Sequence, residues 1–277
     1  MSIEKFKPVV WATRFNDDLE KKLVFYEDCN HDYEGEAKEP GDSIKILGLG
    51  DPTIRSWSDG KLHVLEDPET IEDLSMTLPI NQVCDFNFFI DDLDKRQAEG
   101  EGVLSKYMKK AKDKVAREQD AFIAGFAKDK NIKRMGGDVA ITKDNILQFI
   151  DKAQTALFEN DVDAYTQLTL TGSPKFTEVL RQAYRDLDTN NHELLKNGFI
   201  GKYGGIRVKM SNQVTKDATY EYIQLKTSDA IAFVKPYLFL DAYKPEKRFG
   251  DAVKGWALYD GKVVKPKEII TLKVKYS

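Results

Sequence analysis

Two side chains of metal-binding type, Cys29 and His31, stand two positions apart. On a strand that spacing puts both on one face, where they could share an ion or pair as thiol and imidazole. No second Cys/His pair lies near them: Cys84 is remote, and the other histidines are His63 and His192. The alternative is a half-buried thiol beside a surface imidazole, and the missing partners favour it. The glycine clusters fit phosphate chemistry poorly. Gly48-Leu49-Gly50 lacks the third glycine and the following helix of a dinucleotide site, and Gly201 to Gly205 lacks the Lys-Ser/Thr pair of a phosphate loop. Both read better as turns. There is no Gly-x-Ser-x-Gly elbow and no His-Glu-x-x-His. Carboxylate pairs such as Asp17-Asp18, Glu66-Asp67 and Asp91-Asp92 stand in a chain that is 32% charged, where solvated acids are the default. Tyr220, Tyr222 and Tyr237 near Lys226 and Lys235 resemble an aromatic-basic patch only loosely, and strand packing explains them as well. No catalytic residue, cofactor or metal set is expected.

The elements that would position any such group follow from composition and period. A chain of 277 residues with 41% hydrophobic residues is long enough for one large domain or two ordinary ones. Its net charge of -4 argues against a main task of gripping phosphates, and leaves weak, non-specific contact with nucleic acid open. Two cysteines make no disulfide framework and suit a reducing cytoplasm. No apolar run is long enough to span a membrane, and "MSIEKFKPVV" has charges where a signal peptide needs an apolar core.

Trp11, Phe15, Leu19, Leu23 and Tyr26 are spaced as on a short amphipathic helix within an arm, 1–32. Residues 33–73 alternate around Ile44 and Ile46 and turn at Ser58-Asp59-Gly60, so a long hairpin is expected. Leu74, Met76, Leu78 and Ile80 alternate next, and "VCDFNFFI" continues as a strand. The period then changes: Leu104, Tyr107 or Met108, Ala111, Val115, Phe122 and Phe126 line one face of a long helix, with Asp91 or Asp92 as N-cap. A domain boundary is expected at Met135-Gly136-Gly137-Asp138. Beyond it, Thr142 caps a helix whose inner face is Ile146, Phe149, Ile150, Ala153 and Leu157. Ser173 caps another, with Pro174 at its first position and Val179 and Leu180 inward. "IRVKMS", "YEYIQLK", "AIAFV" and the last thirty or so residues read as strands, with a turn at Asp260-Gly261.

Charge is distributed unevenly along this plan. Between Tyr33 and Asp73 there are eleven acids and four bases, whereas Ser105 to Glu118 holds six bases against two acids. A hairpin alone is marginal in water. Either it folds back on its own domain as a solvated hairpin, or it meets a basic helix on a neighbour. Between chains such a head-to-tail contact closes into rings or shells. Charge would orient that contact, since exposed ion pairs contribute only about 0–1 kcal/mol each. Holding would fall to Ile44, Ile46, Ile54 and Trp57, with Trp11, Glu66, Asp67, Lys109, Lys110 and Lys114 as the further contact candidates.

The ordered set of segments resembles the major capsid proteins of tailed bacteriophages, with the Hong Kong 97-type α+β fold. The matching stretches are "FKPVVWATRFNDDLEKKLVFYEDCNHDYEGEAKEPGDSIKI", "LPINQVCDFNFFIDDLDKRQA", "LLKNGFIGKYGGIRVKMSNQV", and "SDAIAFV" followed by "RFGDAVKGWALYDGKVVKP". The resemblance implies an N-terminal arm (1–32) and an extended loop (33–73) lying across a neighbouring subunit. It also implies a peripheral domain (74–135 and 245–277) built on a spine helix, and an axial domain (136–244) at the centre of each pentamer or hexamer. It implies self-assembly into an icosahedral shell, made in the host bacterial cytoplasm and found as the virion capsid. The expected partners are other copies, a portal, a separate scaffolding protein and non-specifically packed DNA. No cleavage of the arm is indicated. Lys61 aligns only loosely with the cross-linking lysine of some members, no acceptor is identifiable, and that chemistry is not carried over. A bacterial nanocompartment shell of the same fold, and an α+β enzyme or binding domain with an unrecognised site, are the alternatives.

Overall fold

The structure is a computed structural model that describes residues 23–33, 43–46, 75–91, 102–186 and 201–276, together with Ile54, Ser56 and Ser58. Two sheets organise it. The smaller has the strand order β10-β11-β3, formed by Ile231–Tyr243, Gly250–Val263 and Gln82–Asp91, all antiparallel. The larger runs β4-β12-β9-β5-β7-β6, from Lys133–Gly136, Ile269–Val274, Glu221–Lys226, Thr169–Gly172, Ile206–Met210 and Lys202–Tyr203. In it β8 (Thr215–Lys216) shares one edge of β9 with β5.

The long helix α1 (Gly102–Gly125) packs on one face of the smaller sheet. Register puts Phe86, Leu240 and Gly255 on that face, and Phe88 with Val253. Phe88 stacks on Tyr107 of α1 at 5.8 Å, and Phe122 of α1 meets Tyr259 edge-on at 5.4 Å. Gly255 has no room for a side chain, because a Cβ would lie 2.8 Å from the Phe239 carbonyl. The opposite face carries a second small element, the antiparallel pair of β1 (Ser43–Ile46) and β2 (Met76–Pro79). Alternation on a strand exposes every second side chain to one side, and here Ile44, Ile46, Leu78 and Ile80 point onto Ala232, Val234 and Leu258. One half of the molecule is therefore three layers: helix, sheet, hairpin root.

In the larger sheet alternation separates two chemistries. Leu170, Val208, Ile223, Leu225, Ile270 and Leu272 are buried on one side. Phe176 and Leu180 of α3 (Pro174–Asp186) and Ile146, Ile150 and Leu157 of α2 (Ile146–Phe158) join them in the main core. The other side is polar. Lys209, Thr171, Gln224, Thr271 and Arg134 form one row across five strands by direct register.

Ser173 caps α3 as its sequence predicts, its Oγ accepting the Phe176 N–H at 3.1 Å. The turn expected in "GKYGG" is formed: Gly204 and Gly205 have φ of 52° and 84° between the paired Tyr203 and Ile206, left-handed backbone that glycine adopts freely.

Several expectations need correction. At the helix expected after Thr142, the residue before the first turn is Asn145, whose Oδ1 accepts the Thr142 N–H at 2.9 Å. Asp260-Gly261 is no turn but part of β11. Asp260 accepts the Asn81 and Gly261 N–H groups at 3.0 and 2.8 Å, and a Cβ on Gly261 would lie 3.0 Å from the Ala232 carbonyl. Leu23 and Tyr26 are buried, yet through a bend and one 3₁₀ turn (Tyr26–Asp28), so the expected amphipathic helix does not reach them. Asp91 lies in β3 rather than at a helix cap. The sheets also divide the chain differently from boundaries at 136 and 244. β10 pairs with β11 in the smaller sheet, and β12 sits inside the larger one. Strand pairing is non-local, and local breaks such as Gly136-Gly137 do not report it.

Candidate assembly surfaces and the anchor of the N-terminal segment

Residues 23–31 lie between α1 and the polar side of the larger sheet, and charged groups hold them there. From α1, Asp120 accepts the Val24 and Phe25 N–H groups at 2.9 and 3.1 Å. These two donors would otherwise feed a helix, which accounts for the bend at this point. From β7, Lys209 pairs with Asp28 and Glu27, each at 2.8 Å. From β9, Lys226 donates to the Asp28 carbonyl, and from β5 Thr169 donates to the Asp28 carboxylate at 3.4 Å. Backbone bonds complete the attachment: the Asn30 N–H reaches the Ile231 carbonyl at 2.8 Å, and the Phe233 N–H reaches the Asn30 carbonyl at 3.1 Å.

Burial raises the Asp120 carboxyl to about 6, while the Val24 and Phe25 N–H groups draw it back down. Burial likewise pushes the Cys29 thiol up, against the opposing pull of the Lys226 ammonium 3.5 Å from its sulfur. The cluster is closed: Asp28, Asp120, Lys226 and Thr169 are all buried. Charges so enclosed have to be met by one another and by backbone groups rather than by solvent.

Cys29 and His31 do not come together as ligands. The Cys29 thiol donates inward to the Phe25 carbonyl at 3.3 Å, whereas the His31 ring lies 4.0 Å from that of Tyr26. Among the described residues no group of three or more Cys, His, Asp or Glu side chains is arranged to hold a metal ion. Tyr220 and Tyr222 do meet lysines, but Lys273 at 3.9 Å and Lys128 at 5.0 Å rather than Lys226, which is buried. Lys235 lies over Tyr26 at 4.1 Å.

The contact candidates scatter. Ile44 and Ile46 are each 2% exposed in the single chain. That corrects their expected place between subunits: their apolar area is already covered by the smaller sheet of their own chain. Ile54 is 87% exposed and stays available. Lys109, Lys110 and Lys114 are exposed on α1. Trp11, Trp57, Glu66 and Asp67 lie outside the described residues, as do the Ser58-Asp59-Gly60 turn as a whole and the arm before Leu23. Sequence reasoning missed Asp28, Asp120, Lys209 and Lys226. Their available signal was a charge at a position the apolar period assigns inward, as with Asp120 between Val115, Ala116 and Ile123.

On the hairpin side of the smaller sheet the uncovered half is aromatic and charged. Phe239 stacks on Trp256 at 6.2 Å, and Lys254 pairs with Asp241 at 3.3 Å while lying over Tyr243. Beyond it, at the tip between β10 and β11, Phe249 is 86% exposed and Arg248 lies over Phe89.

No family model and no curated protein matches the chain. Solved structures do. A protein of Mycobacterium phage Che8 superposes with a TM-score of 0.76 at 24% identity, over 90% of each chain. The capsid structure of Cyanophage P-SCSP1u gives 0.70 at 15% identity, over 92% of this chain and 89% of that one. A virus-like particle from Pyrococcus furiosus gives 0.60 at 14% identity, over 95% and 97%. At these identities the likeness establishes the fold: α+β, of the kind seen in phage capsids.

Proposed function

We propose that the chain is a major capsid protein of the tailed-phage type, a structural subunit that assembles with copies of itself into a closed shell around DNA. The observation that carries this is the hairpin root. β1 and β2 are fixed on the smaller sheet, and the long acidic stretch between Ile46 and Met76 departs from there with Ile54 exposed. The capsid fold and the closed charge cluster support a structural role over a catalytic one. The TM-scores of 0.76 and 0.70 to phage structures, against 0.60 to the virus-like particle from Pyrococcus furiosus, support a phage shell.

In this reading the stretch 47–75 reaches a neighbouring subunit, with Ile54, Trp57, Glu66 and Asp67 as its contact residues. The segment before Leu23 is the arm, and Asp120 with Lys209 fixes its root. Residues around β5, β7 and β9 form the axial part, and α1 with the smaller sheet forms the peripheral part. Pentamers and hexamers, a portal and a separate scaffolding protein belong to the same proposal, as does the virion as the protein's location.

The test exploits the register of the root. Ile46 stands opposite Met76, so an Asn-Gly turn can replace 47–75 and leave β1 and β2 paired. The wild-type chain is expected to form rings or shells as concentration rises, by light scattering and negative-stain imaging. The shortened chain should stay folded by circular dichroism and form none. A shortened chain that still forms the rings or shells of the wild type would overturn the reading of 47–75 as the contact between subunits.

A further inference from the structure

One contact in the anchor of residues 23–31 is poorly aimed for the ion pair it resembles. The Lys209 Nζ lies 2.8 Å from the Asp28 Oδ2, and the two side chains are only 9% and 7% exposed. Yet that oxygen is buried and accepts no hydrogen bond among the described residues. A buried ion pair offsets the loss of water only where its geometry is good and its hydrogen bonds are made. Here the charges touch and the bond is not made.

The surroundings supply what an amide-forming pair needs. Glu27 accepts a hydrogen bond from the same ammonium at 2.8 Å, so its carboxylate and that of Asp28 meet at one nitrogen. A carboxylate in that position can move protons between the two reacting groups. Thr169 donates to the other oxygen of Asp28, Oδ1, at 3.4 Å, where negative charge develops when the carboxyl carbon is attacked. Lys226 holds the Asp28 carbonyl, and Asp120 holds the Val24 and Phe25 N–H groups, so the segment is fixed from β9 and α1 while Lys209 comes from β7. Groups oriented in this way react at effective molarities of about 10⁵ M or more. Asp28, Asp120, Thr169 and Lys209 are all buried, which keeps away the bulk water that would reverse the reaction. Glu27 itself is the poorer acceptor, because its side chain is 53% exposed and already takes an aligned hydrogen bond.

We propose that Lys209 and Asp28 condense to an amide within one chain, Nζ bonding to Cγ, so that residues 23–31 become covalently fixed to β7. Glu27 moves one proton from the ammonium to Oδ2, leaving an amine and a neutral carboxyl group. The amine lone pair attacks Cγ, and Thr169 holds the oxyanion on Oδ1. Glu27 then moves a second proton from the nitrogen to Oδ2, the Cγ–Oδ2 bond breaks, and water departs. One ammonium and one carboxylate become one amide and one water, with nothing oxidised or reduced. The bond needs only one folded chain and does not depend on the shell reading.

The test is the intact mass of the purified full-length chain in denaturant, followed by protease digestion. The wild type is expected to be lighter than its sequence by one water, with a peptide containing Asp28 joined to one containing Lys209. Lys209→Arg keeps a cation in place but has no amine, so it should fold by circular dichroism and keep the full mass. Glu27→Gln should leave most molecules unlinked, which a merely structural contact at this position would not do. A folded wild-type chain that keeps its full mass on prolonged storage would overturn the proposal, whether or not either variant folds. So would the same loss of water in Lys209→Arg, or a linked peptide that places the bond on other residues. Full linkage in Glu27→Gln would overturn the proton-carrying role of Glu27.

Discussion

Asp120 is 4% exposed, yet two backbone N–H groups point at its carboxylate. The two effects oppose each other and burial wins, which leaves the group near 6 rather than its ordinary 3.8. The consequence for stability has a definite sign. Between about pH 4 and 6 the folded chain holds this proton and the unfolded chain does not, so Asp120 makes stability fall as pH rises through that window. The full difference is on the order of 3 kcal/mol. Asp120→Asn should flatten that part of the profile. Above pH 6 the variant loses one acceptor, because an amide oxygen accepts from one side only and its NH₂ group faces the other donor, but it also escapes the cost of burying a charge, so the two effects oppose each other there. Urea midpoints of both proteins from pH 4 to 8 measure this. Parallel profiles would show that Asp120 does not carry the titration.

At the scale of elements, the hairpin root is predicted to be a cooperative unit with the smaller sheet. Ile46→Ala and Leu78→Ala each remove a buried side chain and should cost about 2–4 kcal/mol. The pair share one cluster with Ala232, Val234 and Leu258, so the double variant should lose less than the sum. Unchanged urea midpoints would mean the root is not packed. Helices α2 and α3 were legible in the sequence because a 3.6-residue apolar period and a Ser-Pro start are local signals. Asp260-Gly261 misled for the same reason: the dipeptide favours turns locally, while the close approach of Ala232 that demands glycine comes from a distant strand. Ile44 and Ile46 were legible as strand residues in need of cover but were expected between subunits, because nothing near them in sequence names β10 or β11. Among the anchoring charges the lysines were the harder to read, because a lysine in a strand reads as solvent-facing until its carboxylate partner, some 180 residues away, is known.

On the scale of the whole molecule, the smaller sheet acts as a partition, with the basic helix and the root of the hairpin on opposite sides, and the larger sheet acts as a platform whose polar side grips residues 23–31. The larger sheet is also closed by its last strand. β12 lies between β4 and β9, and among the described strands β4 pairs with β12 alone. On the ribosome, then, the platform stays open until the chain has emerged as far as Val274, and β4, made long before, waits unpaired. A nascent chain stopped before Ile269 should be degraded by a mild protease that spares the complete one, and equal resistance would refute this order of events. Emergence of β12 thereby becomes a checkpoint: a chain made only as far as β11 has no finished platform.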